Sequence, residues 1–175
     1  MKICKLALYH IFMSKDSINL AIIGTIKTPW LSPSNMPIQP TGAKKVKGTI
    51  VLNKTYVNGL KNLEEFSHII LIYQLHLITE PQLEVIPFMD TTSKGVFATR
   101  SPKRPNKLGI SIVEIESINE NKIHILDVDM INDSPLLDIK PFFEDFDNRF
   151  NTKKGWLAKK TNLDKENFKS DERFA

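Results

Sequence analysis

At 175 residues the chain is long enough for one domain with its own apolar core. It is 41% apolar and 25% charged, with a single cysteine, Cys4. That composition excludes a disulfide framework and a cysteine-based zinc site, and no apolar run reaches the roughly twenty residues of a membrane-spanning helix. The net charge is +4, but its distribution is uneven. Lys94 to Lys107 carries five cations and no acid, whereas Asp127 to Asp147 carries seven acids against Lys140. Such segregation predicts a surface with one cationic face, suited to an anionic partner, and solvated surface charges are the plainer alternative.

The first twelve residues, MKICKLALYHIF, have the faint outline of a leader, but His10 interrupts the apolar stretch and no small-residue cleavage site follows. Met13 offers a second start, and a reducing cytoplasm is the expected compartment. Leu20 to Ile26 reads as a first strand. Residues 32–42, SPSNMPIQPTG, hold three prolines and exclude helix or central strand. Val46 to Leu52 is a second strand, Leu60 to Phe66 a short helical turn, and Ser67 to Ile78 a third strand. Leu83 to Phe88 and Gly95 to Thr99 read as shorter strands. Leu108 to Ile118 and Lys122 to Met130 pair as a hairpin through Asn119-Glu-Asn. Beyond Pro141 the chain turns polar, with at most a short helix near Trp156. Many short strands at this spacing predict an all-β barrel or sandwich. The divisions expected are an N-terminal leader or extension over 1–21, a barrel over 22–150 and a tail over 151–175.

Strand periodicity sorts the polar candidates. In Ser67 to Ile78, His68, Gln74 and His76 share one face, and Leu71, Tyr73, Leu75 and Leu77 the other. His76 is either a satisfied core histidine or a ligand contact at a strand end. In LDVDM, Asp127 and Asp129 on one strand face would stand roughly 6.5–7 Å apart. That spacing suits a grip on two ribose hydroxyls, a metal, or acid–base work, with solvated surface acids as the alternative. No histidine has ligand spacing to them, so a metal is not expected. Seven glycines form neither G-x-G-x-x-G nor a Walker A loop. In GVFATRSPKRPNKLGIS, Pro102 and Pro105 stiffen a loop that presents Arg100, Lys103, Arg104 and Lys107 in set directions.

That run resembles G-V-F-A-T-R-S-x-x-R-P-N-P-I-G-x-S of the TsaA-like, or TrmO, family. IGTIKTPW resembles I-G-x-I-x-[ST]-P, and MPIQP resembles P-R-Q-P. LKNLEEFSHIILIYQLH resembles G-L-x-x-L-x-x-F-S-H followed by an apolar run ending in His. DMINDSPLLDIKPF resembles D-x-x-D-G-T-P-V-x-D-I-K-P-Y. The five segments lie in order from about Ile22 to Pro141. The resemblance implies a small antiparallel β-barrel unlike the Rossmann methyltransferases. It also implies a homodimer with S-adenosylmethionine near the subunit interface, and methylation of N6 of threonylcarbamoyladenosine beside the anticodon of tRNA.

Carried over by position, the resemblance puts Pro37, Ile38, Gln39, His76, Leu77, Arg100, Ile110, Asp127, Val128 and Asp129 at the cofactor. Asp138 and Lys140 of DIKPF are weaker catalytic candidates, and no base is identified. Lys94, Lys103, Arg104 and Lys107 are expected to hold RNA phosphates. The motif departs in three places: Ile38 replaces an arginine, Asn132-Asp133-Ser134 replaces D-G-T, and Lys107 replaces a proline. The ending RFNTKKGWLAKK looks like that of the family's short form. Two other readings stay open: a non-catalytic barrel that binds S-adenosylmethionine or RNA, and a methyltransferase for another nucleoside or a small molecule.

Overall fold

A computed structural model of the protein describes residues 17–159, 169–171 and 173. The leader reading and the start at Met13 lie outside the described residues, as does the tail over 160–168. Eight strands form in chain order: β1 Gly24–Lys27, β2 Lys47–Leu52, β3 His68–Gln74, β4 Glu84–Val85, β5 Lys94–Gly95, β6 Leu108–Asn119, β7 Lys122–Leu126 and β8 Ser134–Pro141. Six of them close into an antiparallel barrel in the order β1-β2-β7-β6-β3-β8, and β4 and β5 form a small separate ribbon.

Alternation explains the barrel. In β2 Gly48, Ile50 and Leu52 point inward, and Lys47, Thr49 and Val51 do not. In β3 Ile69, Leu71 and Tyr73 are buried, while His68, Ile70, Ile72 and Gln74 face outward as the periodicity predicts. Ile26, Ile50, Ile69, Leu71, Val113, Ile123, Ile125 and Leu136 are fully enclosed. Each such side chain contributes about 1.5–3 kcal/mol on leaving water. The β6–β7 hairpin forms with Asn119 opposite Lys122, as expected.

The structure corrects several element boundaries; the strand expected over Leu83 to Phe88, for one, is only Glu84–Val85. β1 begins at Gly24, because Leu20 and Ile22 lie exposed before the ladder starts. β3 ends at Gln74, and Leu75 to Ile78 form a turn closed by the Ile78 amide on the Leu75 carbonyl. Val96–Ala98 is a single 3-10 turn rather than strand. β7 stops at Leu126: Asp127 has φ 67, a left-handed conformation that breaks the extended run, so Asp127 and Asp129 do not share a strand face.

β8 does not announce itself in SPLLDIKP, since two prolines argue against a central strand. They are tolerated because Pro135 stands opposite Thr25 of β1 and Pro141 opposite Ile69 of β3, near the two ends of the strand. A register shift between Ile72 and Tyr73 sets Tyr73 opposite Leu136 and Ile72 opposite Asp138. A 3-10 turn over Gly155–Lys159 matches the short helix expected near Trp156, whose indole donates to the Ala98 carbonyl at 2.9 Å.

Candidate functional site

One mouth of the barrel is polar. It is built where β3 ends, β6 begins and the chain leaves β7. Past Leu126 the left-handed Asp127 turns the chain, and the fully buried Val128 anchors it in the core. Trp30 staples this segment by donating its indole N–H to the Val128 carbonyl at 2.7 Å, and Thr28 Oγ1 donates to the Met130 carbonyl at 2.9 Å. Asp129, thus fixed, accepts a 2.6 Å hydrogen bond from Ser111 Oγ of β6. Ser111 Oγ lies 3.1 Å from the Tyr73 hydroxyl at the end of β3.

Burial pushes the Asp129 carboxyl up to about 6, against the opposing pull of the Ser111 hydrogen bond and the positive charge of Arg100. Burial and the Asp129 charge together raise the Tyr73 phenol above its ordinary value, so it stays protonated. Arg100 reaches across from the loop and donates to Gln39 Oε1 at 2.6 Å, joining the 37–39 segment to the mouth. A part-buried carboxylate whose charge feels a guanidinium held by an amide has the chemistry to take a zwitterion: cationic or hydroxyl groups at Asp129, a carboxylate at Arg100.

The structure therefore brings Gln39, Arg100 and Asp129 together. Pro37 is buried beside them in sequence, bridged to Lys169, and the Ile38 carbonyl accepts from Gln39 Nε2 at 2.6 Å. Asp127 turns away and accepts the Lys45 amide at 2.6 Å. The Val128 side chain belongs to the core. His76 and Leu77 lie in the turn after β3, the histidine half-buried and the leucine exposed. Ile110 is 61% exposed on the outer wall, opposite Ile72. Asp138 pairs with Lys140 at 2.7 Å and lines an open cleft of about 520 Å3 at the opposite mouth, apart from the polar group. Sequence reasoning missed Tyr73 and Ser111 as site residues. The available signal was a serine at an inward position of β6, alternating with Val113.

The cationic loop is largely tied to itself. Arg104 Nη1 donates to the carbonyls of Thr99 at 2.9 Å and Val96 at 3.2 Å, and the guanidinium stands 5.9 Å over the Phe97 ring. Lys94 pairs with Asp90 at 3.3 Å, and Lys107 Nζ donates to the Thr79 carbonyl at 2.7 Å. Among the described residues the Lys103 ammonium has no such partner.

The family model described as tRNA-methyltransferase O N-terminal domain matches residues 25–148. The chain belongs to the TrmO family. A relative from Pyrococcus abyssi, named a probable S-adenosyl-L-methionine-binding protein, is 47% identical over 137 residues, 78% of this chain and 74% of the relative. The tRNA (adenine(37)-N6)-methyltransferase of Rattus norvegicus is 29% identical over 134 residues, 72% of this chain and 31% of that enzyme. The crystal structure of TrmO from Pseudomonas aeruginosa superposes with TM-score 0.68 at 28% identity, covering 80% of this chain and 62% of that one. This chain thus spans about three fifths of the solved TrmO chain and under a third of the rat enzyme.

Two departures from the TrmO motifs have a backbone consequence. Lys107, in place of proline, has φ 50, a conformation that a pyrrolidine ring forbids. Asp133, in place of glycine, has φ 65, and its carboxylate is held by Lys27 and by Asn132 Nδ2.

Proposed function

We propose that this protein is an S-adenosylmethionine-dependent methyltransferase acting on N6 of threonylcarbamoyladenosine in tRNA. The observation that carries this reading is the Gln39–Arg100–Asp129 group at a barrel mouth in a chain of the TrmO family. When bound, S-adenosylmethionine supplies an electrophilic methyl group on a sulfonium sulfur. Asp129 offers its carboxylate to the amine or ribose hydroxyls, and Arg100 offers its guanidinium to the carboxylate, with Gln39 holding Arg100 in place. Ile38, next to Gln39, and Leu77, in the turn after β3, add apolar surface suited to a nucleobase. The nitrogen of threonylcarbamoyladenosine is weakly nucleophilic, so alignment and loss of its proton govern the rate.

The test uses the full chain, labelled S-adenosylmethionine, and tRNA with or without threonylcarbamoyladenosine. Methyl transfer to the modified tRNA alone is the expected result. Cofactor binding without transfer supports the non-catalytic reading that the name of the Pyrococcus relative suggests, and transfer to other acceptors supports a different substrate.

The same reading includes a homodimer. The outer wall of β3 and β6 carries Ile70 and Ile72 opposite Ile112 and Ile110, with Leu108 beside them, an apolar surface unusual on a monomer. Asp138 and Lys140 stand opposite Ile72 and Ile70 at the edge of that surface. Sedimentation at micromolar concentration is expected to give twice the 20.0 kDa chain mass, and a monomer alone contradicts it.

A further inference from the structure

Three polar side chains stand in line at one end of a barrel whose core is mostly apolar. Asp129 Oδ1, ionised, can only accept, so the single Ser111 hydroxyl proton is committed to it at 2.6 Å. Ser111 Oγ is then an acceptor towards Tyr73, whose hydroxyl must donate across 3.1 Å. The chain of donation runs one way, from Tyr73 through Ser111 to Asp129. Tyr73 can keep that role at any working pH, because its enclosure holds the phenol protonated. The neighbouring strand is shaped around the ring: a Cβ at position 109 would fall 2.4 Å from Tyr73 Cε2, so only Gly109 leaves room.

The charged and titratable groups facing Asp129 are few. β3 contributes Tyr73, the loop before β6 contributes Arg100, β6 contributes the neutral Ser111, and Asp127 on its own segment is turned to the Lys45 amide. Burying hydroxyls and a carboxyl is costly where Phe, Ala and Asn would fill the same volume, so the network serves something other than packing.

We propose that Tyr73 and Ser111 are positioning residues of the cofactor site, holding the Asp129 carboxylate in one orientation towards the ligand. This rests on the reading of the mouth as an S-adenosylmethionine site. Tyr73 and Ser111 act through Asp129 and need not touch the ligand.

The experiment is calorimetry of S-adenosylmethionine binding by the full chain between pH 5 and 8, with melting temperature measured alongside. The proteins are wild type, Tyr73→Phe, Ser111→Ala and Ser111→Thr. Wild-type affinity should fall as pH drops through about 6, where Asp129 takes up its proton. Ser111→Ala removes a donor that favours the carboxylate, so the midpoint of this fall moves to higher pH and affinity at pH 7 drops about tenfold. Tyr73→Phe, which keeps the ring, should shift the midpoint the same way by less. Ser111→Thr, which keeps the hydroxyl, should restore it. Variants that bind with wild-type affinity and midpoint overturn the inference alone, whatever their melting temperatures. A wild type that binds nothing at any pH overturns the cofactor reading and this inference with it.

Discussion

The two mouths of the barrel are made by opposite ends of the same strands, yet they differ in kind. At one, β3 delivers Tyr73, β6 delivers Ser111 and the exit from β7 delivers Asp129. At the other, Ile23, Leu52, Leu60, Leu63, Phe66 and Ile139 form the apolar floor of an open cleft of about 520 Å3, roofed by the turns between Lys54 and Phe66, with Thr55, Lys61, Asn62 and Asp138 also on its wall. The alternation of a strand decides only which side chains face inward. Whether the inward group is a hydrocarbon or a hydroxyl changes along the barrel axis, and that second coordinate separates the packed end from the end with chemistry.

The contrast can be broken most directly at the packed pole. Leu60→Ala deletes a buried side chain beside the cleft and is expected to lower stability by about 2–4 kcal/mol in urea unfolding. Cofactor affinity of the folded fraction should not change. A matching loss of affinity would mean that the two mouths are one unit.

At the polar pole Asp129→Asn sharpens the difference. The folded wild type holds the Asp129 proton up to about pH 6, whereas the unfolded chain releases it near the ordinary carboxylate value of 3.8. Stability of the wild type therefore falls as pH rises from about 4 to about 6, on the order of 2–3 kcal/mol from this group. The amide of Asp129→Asn does not titrate, so this fall is absent. The variant should match the wild type near pH 4 and exceed it at pH 8, with cofactor binding weakened. Parallel stability profiles for the two proteins would remove Asp129 from its enclosed setting.

A smaller effect divides the cationic loop. Arg104→Ala loses two hydrogen bonds to loop carbonyls and should cost about 1–2 kcal/mol. Lys103→Glu should leave the melting temperature in place and lower the salt slope of tRNA binding by about one. The reverse pattern would return Arg104 to the RNA-binding role and make Lys103 structural.

Much of this frame is readable from residue order. The β6–β7 hairpin is legible because its apolar residues alternate and Asn121 follows Glu120, which sits at φ 53 in the turn. The outward set of β3 is legible for the same reason. β8 is not, because Pro135, Asp138, Lys140 and Pro141 are individually poor strand residues that become acceptable only between β1 and β3. The end of β7 is not legible either, since LDVDM alternates well and nothing local announces the left-handed Asp127. Gln39, Arg100 and Asp129 come forward through motif resemblance. Tyr73 and Ser111 do not, because their link is a contact between strands and neither is unusual in its own segment.

The closure of the barrel also sets the order in which the protein can assemble. The seam is β8, which pairs with β1 from Gly24 opposite Leu136 and with β3 along its other side. The β6–β7 hairpin joins neighbours in sequence. The β1–β8 seam joins segments about a hundred residues apart, and its loop-closure entropy is lost before any contact offsets it. Residues 127–133, which carry Asp129, lead directly into that seam and are pinned to Thr28 and Trp30 just beyond β1. In a refolding experiment the polar mouth should therefore be the last part of the molecule to form, with hairpin structure preceding the capacity to bind a ligand.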